Sequence, residues 1–314
     1  MVATLVTSTP HIAFANDTIS DWKGATVTLE EGDVDSDGVT IHYHTVGEGP
    51  LLVLIHGIGG SWLDWRHQIP ALADRYQVVA MTQRAFDKSD RPVGVEQYSV
   101  ARVAADINAV ITHFGQDKSI IVAYDSGGFH AWYFAMHYPD KTDRLVAIGS
   151  YHPANLVREL ATNPDQRQAS TYARNFQEDP TAGAALAARW RDPNAPPRPG
   201  DSPELHQKRQ EALGRSSVDA MMNFYKANWP RPPFTLETPA FGGRISDYPK
   251  VQSPTLVVFG REDRPLLASG LNDLWQWVEQ DLTLLVVPGT GHGPHQEVPA
   301  LVTPRIMSWL QTTN

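Results

Sequence analysis

The chain has 314 residues, a net charge of −9, 41% apolar and 19% charged residues, and not one cysteine. That length suits a large α/β core with an insertion, and the balance is that of a globular protein with no disordered block. The acidity and the absence of a basic cluster speak against nucleic acid or an anionic membrane as partner, no apolar run approaches the roughly 20 residues that cross a bilayer, and the lack of cysteine excludes disulfides, thiolate chemistry and Cys-ligated metals.

Met1 to Asn16 ends in Ala13-Phe14-Ala15, faintly like a signal-peptidase site, but without a basic start or an unbroken apolar stretch before it. Residues 1–25 therefore read as an N-terminal arm, and the expected location is cytoplasmic, with secretion left open. Val27–Glu31 and Val39–Val46 alternate apolar and polar residues around Asp35-Ser36-Asp37-Gly38, the pattern of an antiparallel hairpin. Leu51–Ile55, Gln77–Met81, Ser119–Tyr124 and Leu145–Gly149 are short runs rich in Val, Ile and Leu, suited to strands of a parallel sheet buried on both faces. Helical patterns over Trp65–Arg75, Val100–Phe114 and Phe129–Tyr138 separate them, which predicts βαβ units.

From residue 152 to about 248 strand signals are few, helix-like stretches prevail, and a proline-rich passage runs from Asp192 to Gly200. Thr255–Phe259 and Leu282–Val287 restore the buried-strand pattern, and Ala300–Leu310 closes the chain as an amphipathic helix. The expected fold class is α/β: a mostly parallel sheet flanked by helices, with core segments over 26–151 and 249–314 and a helical cap over 152–248. No internal repeat is visible.

Ile120-Ile121-Val122-Ala123-Tyr124-Asp125-Ser126-Gly127-Gly128 reads as a strand, a sharp turn and a helix. This is the frame of the Gly-x-Ser-x-Gly nucleophile elbow, in which small residues two before and two after the nucleophile let strand and helix approach closely. With Asp125 at the centre those positions are Ala123 and Gly127. With Ser126 at the centre one of them is Tyr124, so the register favours Asp125 over a serine-type esterase. A serine alkylated at an sp3 carbon would become an ether that water cannot cleave, whereas an alkylated aspartate is an ester that water can open. The carboxylate thus points to substitution at an alkyl carbon, as in epoxides or alkyl halides.

A second half-reaction needs a histidine base held by another acid. Asp263 follows one late strand, beside Glu262, and His292 follows the next, with His295 three positions on. Loops after the carboxyl ends of parallel strands converge on one crevice, so Asp125, Asp263 and His292 are expected to meet there. His56-Gly57-Ile58-Gly59-Gly60 follows another strand, and the backbone N–H groups of Ile58 and Ser126 are the expected oxyanion hole. His56 reads as a structural residue tying that loop.

These motifs resemble the α/β-hydrolase fold superfamily over nearly the whole chain from about residue 26. Tyr172-Ala173-Arg174-Asn175-Phe176-Gln177-Glu178 and Asn223-Phe224-Tyr225-Lys226-Ala227-Asn228-Trp229 resemble the two cap segments of soluble, aspartate-nucleophile epoxide hydrolases, and His292-Gly293-Pro294-His295-Gln296-Glu297-Val298-Pro299 is similar to their catalytic-histidine segment. The resemblance implies epoxide hydration to a vicinal diol without cofactor or metal, with Tyr172 and Tyr225 donating to the epoxide oxygen and His292 rather than His295 as base. It implies a small-molecule epoxide and water as partners, and it is compatible with a homodimer. The chain departs from the family at Ser126, where Trp is usual, at Gly59, where Pro is usual, and at Ala85 and Asp87, where two glycines are usual. The alternatives are an aspartate-nucleophile dehalogenase and a hydrolase-fold protein that binds a small molecule without turnover.

Overall fold

A computed structural model of the chain describes residues 17–312 apart from positions 193 and 199. Its strands are β1 (Asp17–Ser20), β2 (Thr26–Ser36), β3 (Val39–Val46), β4 (Leu51–Ile55), β5 (Gln77–Met81), β6 (Ser119–Tyr124), β7 (Thr142–Ile148), β8 (Thr255–Gly260) and β9 (Leu282–Val287). They form one sheet in the order β1-β2-β3-β5-β4-β6-β7-β8-β9. β1, β2, β3 and β5 pair antiparallel in succession, and every later pairing is parallel.

The apolar runs feed two cores at once. Val53, Ile55, Ile121, Ala123 and Ala147 pack on one face of the sheet, while their neighbours Leu52, Leu54, Ile120, Val122, Val146 and Ile148 pack on the other. Because side chains alternate along a strand, burial on both faces demands an unbroken apolar run, and Leu51–Ile55, Ile120–Ala123 and Leu145–Ile148 supply one.

Three elements differ from the sequence reading. Asp17–Ser20, assigned to an arm, pairs with Thr26–Leu29 as strand β1. Ala13-Phe14-Ala15 lies outside the described residues. β9, read as buried, is an edge strand: its Val287 face lies in a core with Val302, Ile306 and Leu310, whereas Leu284 and Val286 are 45% and 40% exposed. The helix expected over Trp65–Arg75 is a 3₁₀ turn at Trp62–Trp65 followed by α1 (Gln68–Leu72). All four residues of that turn are buried, so it has no solvent face to offer an amphipathic helix.

α2 (Val100–His113) and α3 (Ser126–His137) flank the sheet. Between β7 and β8 come α4 (Pro153–Thr162), α5 (Pro164–Ala169), α6 (Thr171–Glu178), α7 (Ala182–Trp190), α8 (Pro203–Arg215), α9 (Val218–Met221) and α10 (Asn223–Asn228), and α11 (Pro294–Glu297) and α12 (Pro299–Thr312) end the chain. Asn163 and Ser202 cap α5 and α8 through their side chains, each just before a first-turn proline. No helix among the described residues is long and apolar enough to cross a membrane.

The loop after β5 locks the inserted helices to the sheet. Arg84 holds Asp106 of α2 through two hydrogen bonds of 2.7 and 2.6 Å, both partners buried. Ala85 and Asp87 have φ of 79° and 41°, the left-handed backbone that glycine adopts freely and that costs an L-residue roughly 1–2 kcal/mol. Contacts with the insertion offset that cost. Ala85 O accepts from Ser217 N at 2.9 Å, Asp87 N donates to Ser216 Oγ at 2.8 Å, and the Asp87 carboxylate pairs with Arg215.

Candidate active site

Asp125 sits between β6 and α3 with φ 55° and ψ −121°. A non-glycine residue in that region stores about 1–3 kcal/mol of strain, a cost that persists only where the surroundings over-determine it. Gly127 shows the closeness of the turn, since a Cβ there would stand 2.5 Å from His56 O. The hydroxyl of Ser126 is buried without a partner.

The carboxylate of Asp125 faces two different environments. Its Oδ1 accepts from Ile58 N at 2.7 Å, and the Ser126 N–H also donates to the carboxylate. A Cβ on Gly57 would lie 2.5 Å from that same oxygen, so only glycine lets the loop approach. Its Oδ2 is 2.9 Å from His292 Nε2, and His292 Nδ1 is 2.6 Å from Asp263 Oδ2. Asp263 is further held by Leu266 N, which donates to its Oδ1 at 3.0 Å. Asp125, Asp263 and His292 follow β6, β8 and β9, whose parallel pairing carries their C-terminal ends to one side.

The competing residues stand elsewhere. Glu262 pairs with Arg261 and accepts from Gly289 N. His295 is fully buried against Trp65 and Tyr124, and burial pushes its pKa down to about 3. His56 hydrogen-bonds within its own loop and accepts from Gln83 N.

Above Asp125 the helices close a cavity of about 660 Å³, lined among others by Tyr172, Phe176, Leu186, Trp190, Tyr225 and His292. Tyr172 on α6 and Tyr225 on α10 meet edge to face with ring centroids 5.8 Å apart. Gln177 ties the two helices, donating from Nε2 to Tyr225 O and Trp229 O at 2.9 Å each. Phe176, Leu186 and Trp190 line the cavity but carry no sequence signal of it, because an amphipathic helix does not state what its apolar face will meet. Trp190 also explains Gly59. That residue has φ 68°, closed to proline, and a Cβ on it would come within 2.6 Å of the Trp190 ring.

The alpha/beta hydrolase fold family matches residues 50–298. The chain belongs to that family. This hydrolase is 28% identical to Epoxide hydrolase 1 of Caenorhabditis elegans over 292 residues, 87% of this chain and 68% of that one. It is also 28% identical to the AB hydrolase superfamily protein YfhM of Bacillus subtilis, over 88% of this chain and 96% of that one. Among solved structures, the epoxide hydrolase of Bacillus megaterium in complex with an inhibitor superposes with a TM-score of 0.77 at 23% identity, covering 90% of this chain and all of that one.

The hydrolase balances its site by charge. Burial alone would lower the pKa of His292, but hydrogen bonds to Asp125 and Asp263 outweigh it and raise the imidazole to about 10. For Asp125 burial works upward, and the His292 hydrogen bond, its positive charge and the two backbone N–H groups bring the carboxyl below its ordinary value. Burial, then the negative charge of Asp125, raises the Tyr172 phenol; burial, the neighbouring Tyr172 and Asp125 raise that of Tyr225. The resting site is therefore an imidazolium between two carboxylates beneath two neutral phenols.

Proposed function

We propose that this hydrolase opens an epoxide to a vicinal diol through an ester of Asp125. The observation that carries the reading is an aspartate at the strained elbow, one oxygen in a cradle of backbone N–H groups and the other on a histidine, in a cavity that the half-buried Tyr172 and the buried Tyr225 line. Relatives in worm, frog and mouse that are each an epoxide hydrolase support it.

In this reading Oδ2 attacks a ring carbon while the Ile58 N–H retains Oδ1. The C–O bond of the ring breaks, and the charge developing on its oxygen meets the Tyr172 and Tyr225 hydroxyls, which stabilise it more than the uncharged ether. Alkylation neutralises Asp125, and the imidazolium loses one of the two carboxylates that kept it protonated. The proton His292 then sheds equals the one the alkoxide needs. Neutral His292, oriented by Asp263, takes a proton from water as it attacks Cγ. Oδ1 becomes the oxyanion, already seated against Ile58 and Ser126; as it collapses the Cγ–Oδ2 bond breaks, Oδ2 leaves with the diol taking the proton from His292, and the new Asp125 acid gives its proton back to His292.

The test follows the oxygen through one turnover. Enzyme in excess over an epoxide in ¹⁸O water should give unlabelled diol and a labelled Asp125 peptide. Direct attack by water on the epoxide would label the diol at once and leave Asp125 unlabelled, which would overturn the ester route. Halide release from a chlorinated alkane in place of diol formation would shift the reading to a dehalogenase.

A further inference from the structure

A second cluster of chemically capable side chains lies on the N-terminal hairpin, and none of its residues lines the catalytic cavity. β2 and β3 set Glu31 opposite His44 and Asp33 opposite His42. Residues two apart on a strand share a face, so these four side chains stand together. β1 sets Asp17 opposite Leu29, on the same face of β2 as Glu31.

We propose that Glu31, His42 and His44 bind a divalent transition-metal ion of the zinc type, with Asp17 or water completing the coordination. Glu31 Oε2 is 3.2 Å from His42 Nε2 and 3.4 Å from His44 Nε2. Zinc bonds of about 2.0–2.1 Å place neighbouring tetrahedral ligands roughly 3.3 Å apart, the spacing of both contacts. Ligand atoms of all three residues lie within 4.8 Å of one another, and Asp17 Oδ2 is 3.7 Å from His44 Nε2.

Hydrogen bonding on the far side of His42 favours the same ion. Its Nδ1 is 2.8 Å from Asp33 Oδ1, an acceptor, so Nδ1 carries the proton. In neutral His42 the Nε2 lone pair then faces the Glu31 carboxylate, acceptor against acceptor, and a cation between them removes the conflict. A carboxylate behind the imidazole is the arrangement that orients metal-ligating histidines. Lys88 Nζ, 2.6 Å from Glu31 Oε2, already shows that positive charge is favoured there. Its side chain is 40% exposed and free to swing into solvent, whereas Glu31 and both imidazoles are nearly buried and His44 stacks on Trp62 at 4.4 Å. Two imidazoles and carboxylate, without thiolate, suit zinc rather than magnesium or calcium. The ion would staple β2 to β3, and through Asp17 to β1, in a structural role separate from the reaction.

The full chain, freed of metal with a chelator, is titrated with Zn²⁺ by calorimetry and with Co²⁺ by visible absorption. The expected result is one ion per chain, a Co²⁺ band of four-coordinate intensity and a higher melting temperature with Zn²⁺. His42→Gln with His44→Gln should abolish binding. Lys88→Ala removes the competing charge and leaves the ligands in place, so it should tighten binding, a gain that misfolding cannot mimic. Absence of stoichiometric binding in the wild type, equal binding by the double variant, or unchanged or weaker binding by Lys88→Ala would each overturn the proposal.

Discussion

The sheet side and the helix side of the catalytic cavity are held by different forces. On the sheet side Asp125, His292 and Asp263 are joined by hydrogen bonds of 2.9 and 2.6 Å between groups that carry charge, with Asp125 held at a positive φ. On the helix side Tyr172 and Tyr225 sit in an aromatic cluster with Phe176 and Trp229, at centroid separations of 5.1 to 6.2 Å. Charge-assisted hydrogen bonds are directional and respond to pH, whereas aromatic packing tolerates small displacements and does not. In the proposed mechanism, therefore, the sheet side sets whether the chemistry proceeds and at what pH, and the helix side sets how fast the ring opens.

Changes on the sheet side should have the largest effects and should separate the two half-reactions. Asp125→Ala should abolish diol formation, a loss of roughly 10⁴-fold or more in kcat for removal of a nucleophile. His292→Gln should still alkylate but not release, so intact-protein mass spectrometry should show an adduct of substrate mass. A His292→Gln enzyme that never accumulates an adduct would contradict its assignment as base for the second step.

On the helix side, Tyr172→Phe with Tyr225→Phe should slow alkylation by about 10²- to 10⁴-fold, the range for a positioned acid. Each single change should do less, since the remaining phenol still reaches the oxygen. Hydrolysis of a preformed ester should be nearly unaffected. Stopped-flow measurement of the two steps checks this, and an unchanged alkylation rate in the double variant would remove the tyrosines from the mechanism.

The pH behaviour belongs to the sheet side alone. His292 is raised to about 10 from 6.5, so its pairing contributes fully to stability below pH 6.5 and is lost as the pH rises towards 10. Asp125 is lowered from 3.8, so its contribution is present above that value and lost as the pH falls. Asp125→Asn imitates the uncharged ester and should bring the His292 pKa well below 10, read by NMR titration of the ring. A value unmoved by the substitution would refute the idea that alkylation turns the imidazolium into a base.

The smallest effect expected is that of Gln177→Ala. It removes two hydrogen bonds that join α6 to α10, worth about 0.5–1.5 kcal/mol each. The expected outcome is a melting temperature lower by a few degrees and a rise in KM with little change in the hydrolysis of the ester. If the ester step slowed as much as ring opening, the two sides would not be mechanically separate.

Much of this was legible in the chain because burial on both faces leaves a pattern that nothing else leaves. Leu51–Ile55, Gln77–Met81 and Ser119–Tyr124 coincide with β4, β5 and β6, residue for residue. β1 was not legible, since Asp-Thr-Ile-Ser is too short for alternation to register, and the exposure of β9 was not, since an apolar run does not say that its strand lies at an edge. Tyr172 and Tyr225 were reachable only through resemblance, as nothing in their local pattern distinguishes a phenol aimed into a cavity from one at a rim.

By itself the sequence determined the central buried strands, the small residues around Asp125, and the choice of a carboxylate where an acyl-transfer enzyme carries a hydroxyl. These are local matters, set by side-chain alternation, by steric room in one turn and by the chemistry of one functional group. The tertiary structure alone decided that His295, three residues after His292, packs against Trp65. It likewise decided that Trp190 closes over Gly59, and that Glu31, His42 and His44 share a face. Each of those depends on which distant segments come within hydrogen-bonding or van der Waals range, and that is fixed by the packing of the whole chain rather than by any stretch of it.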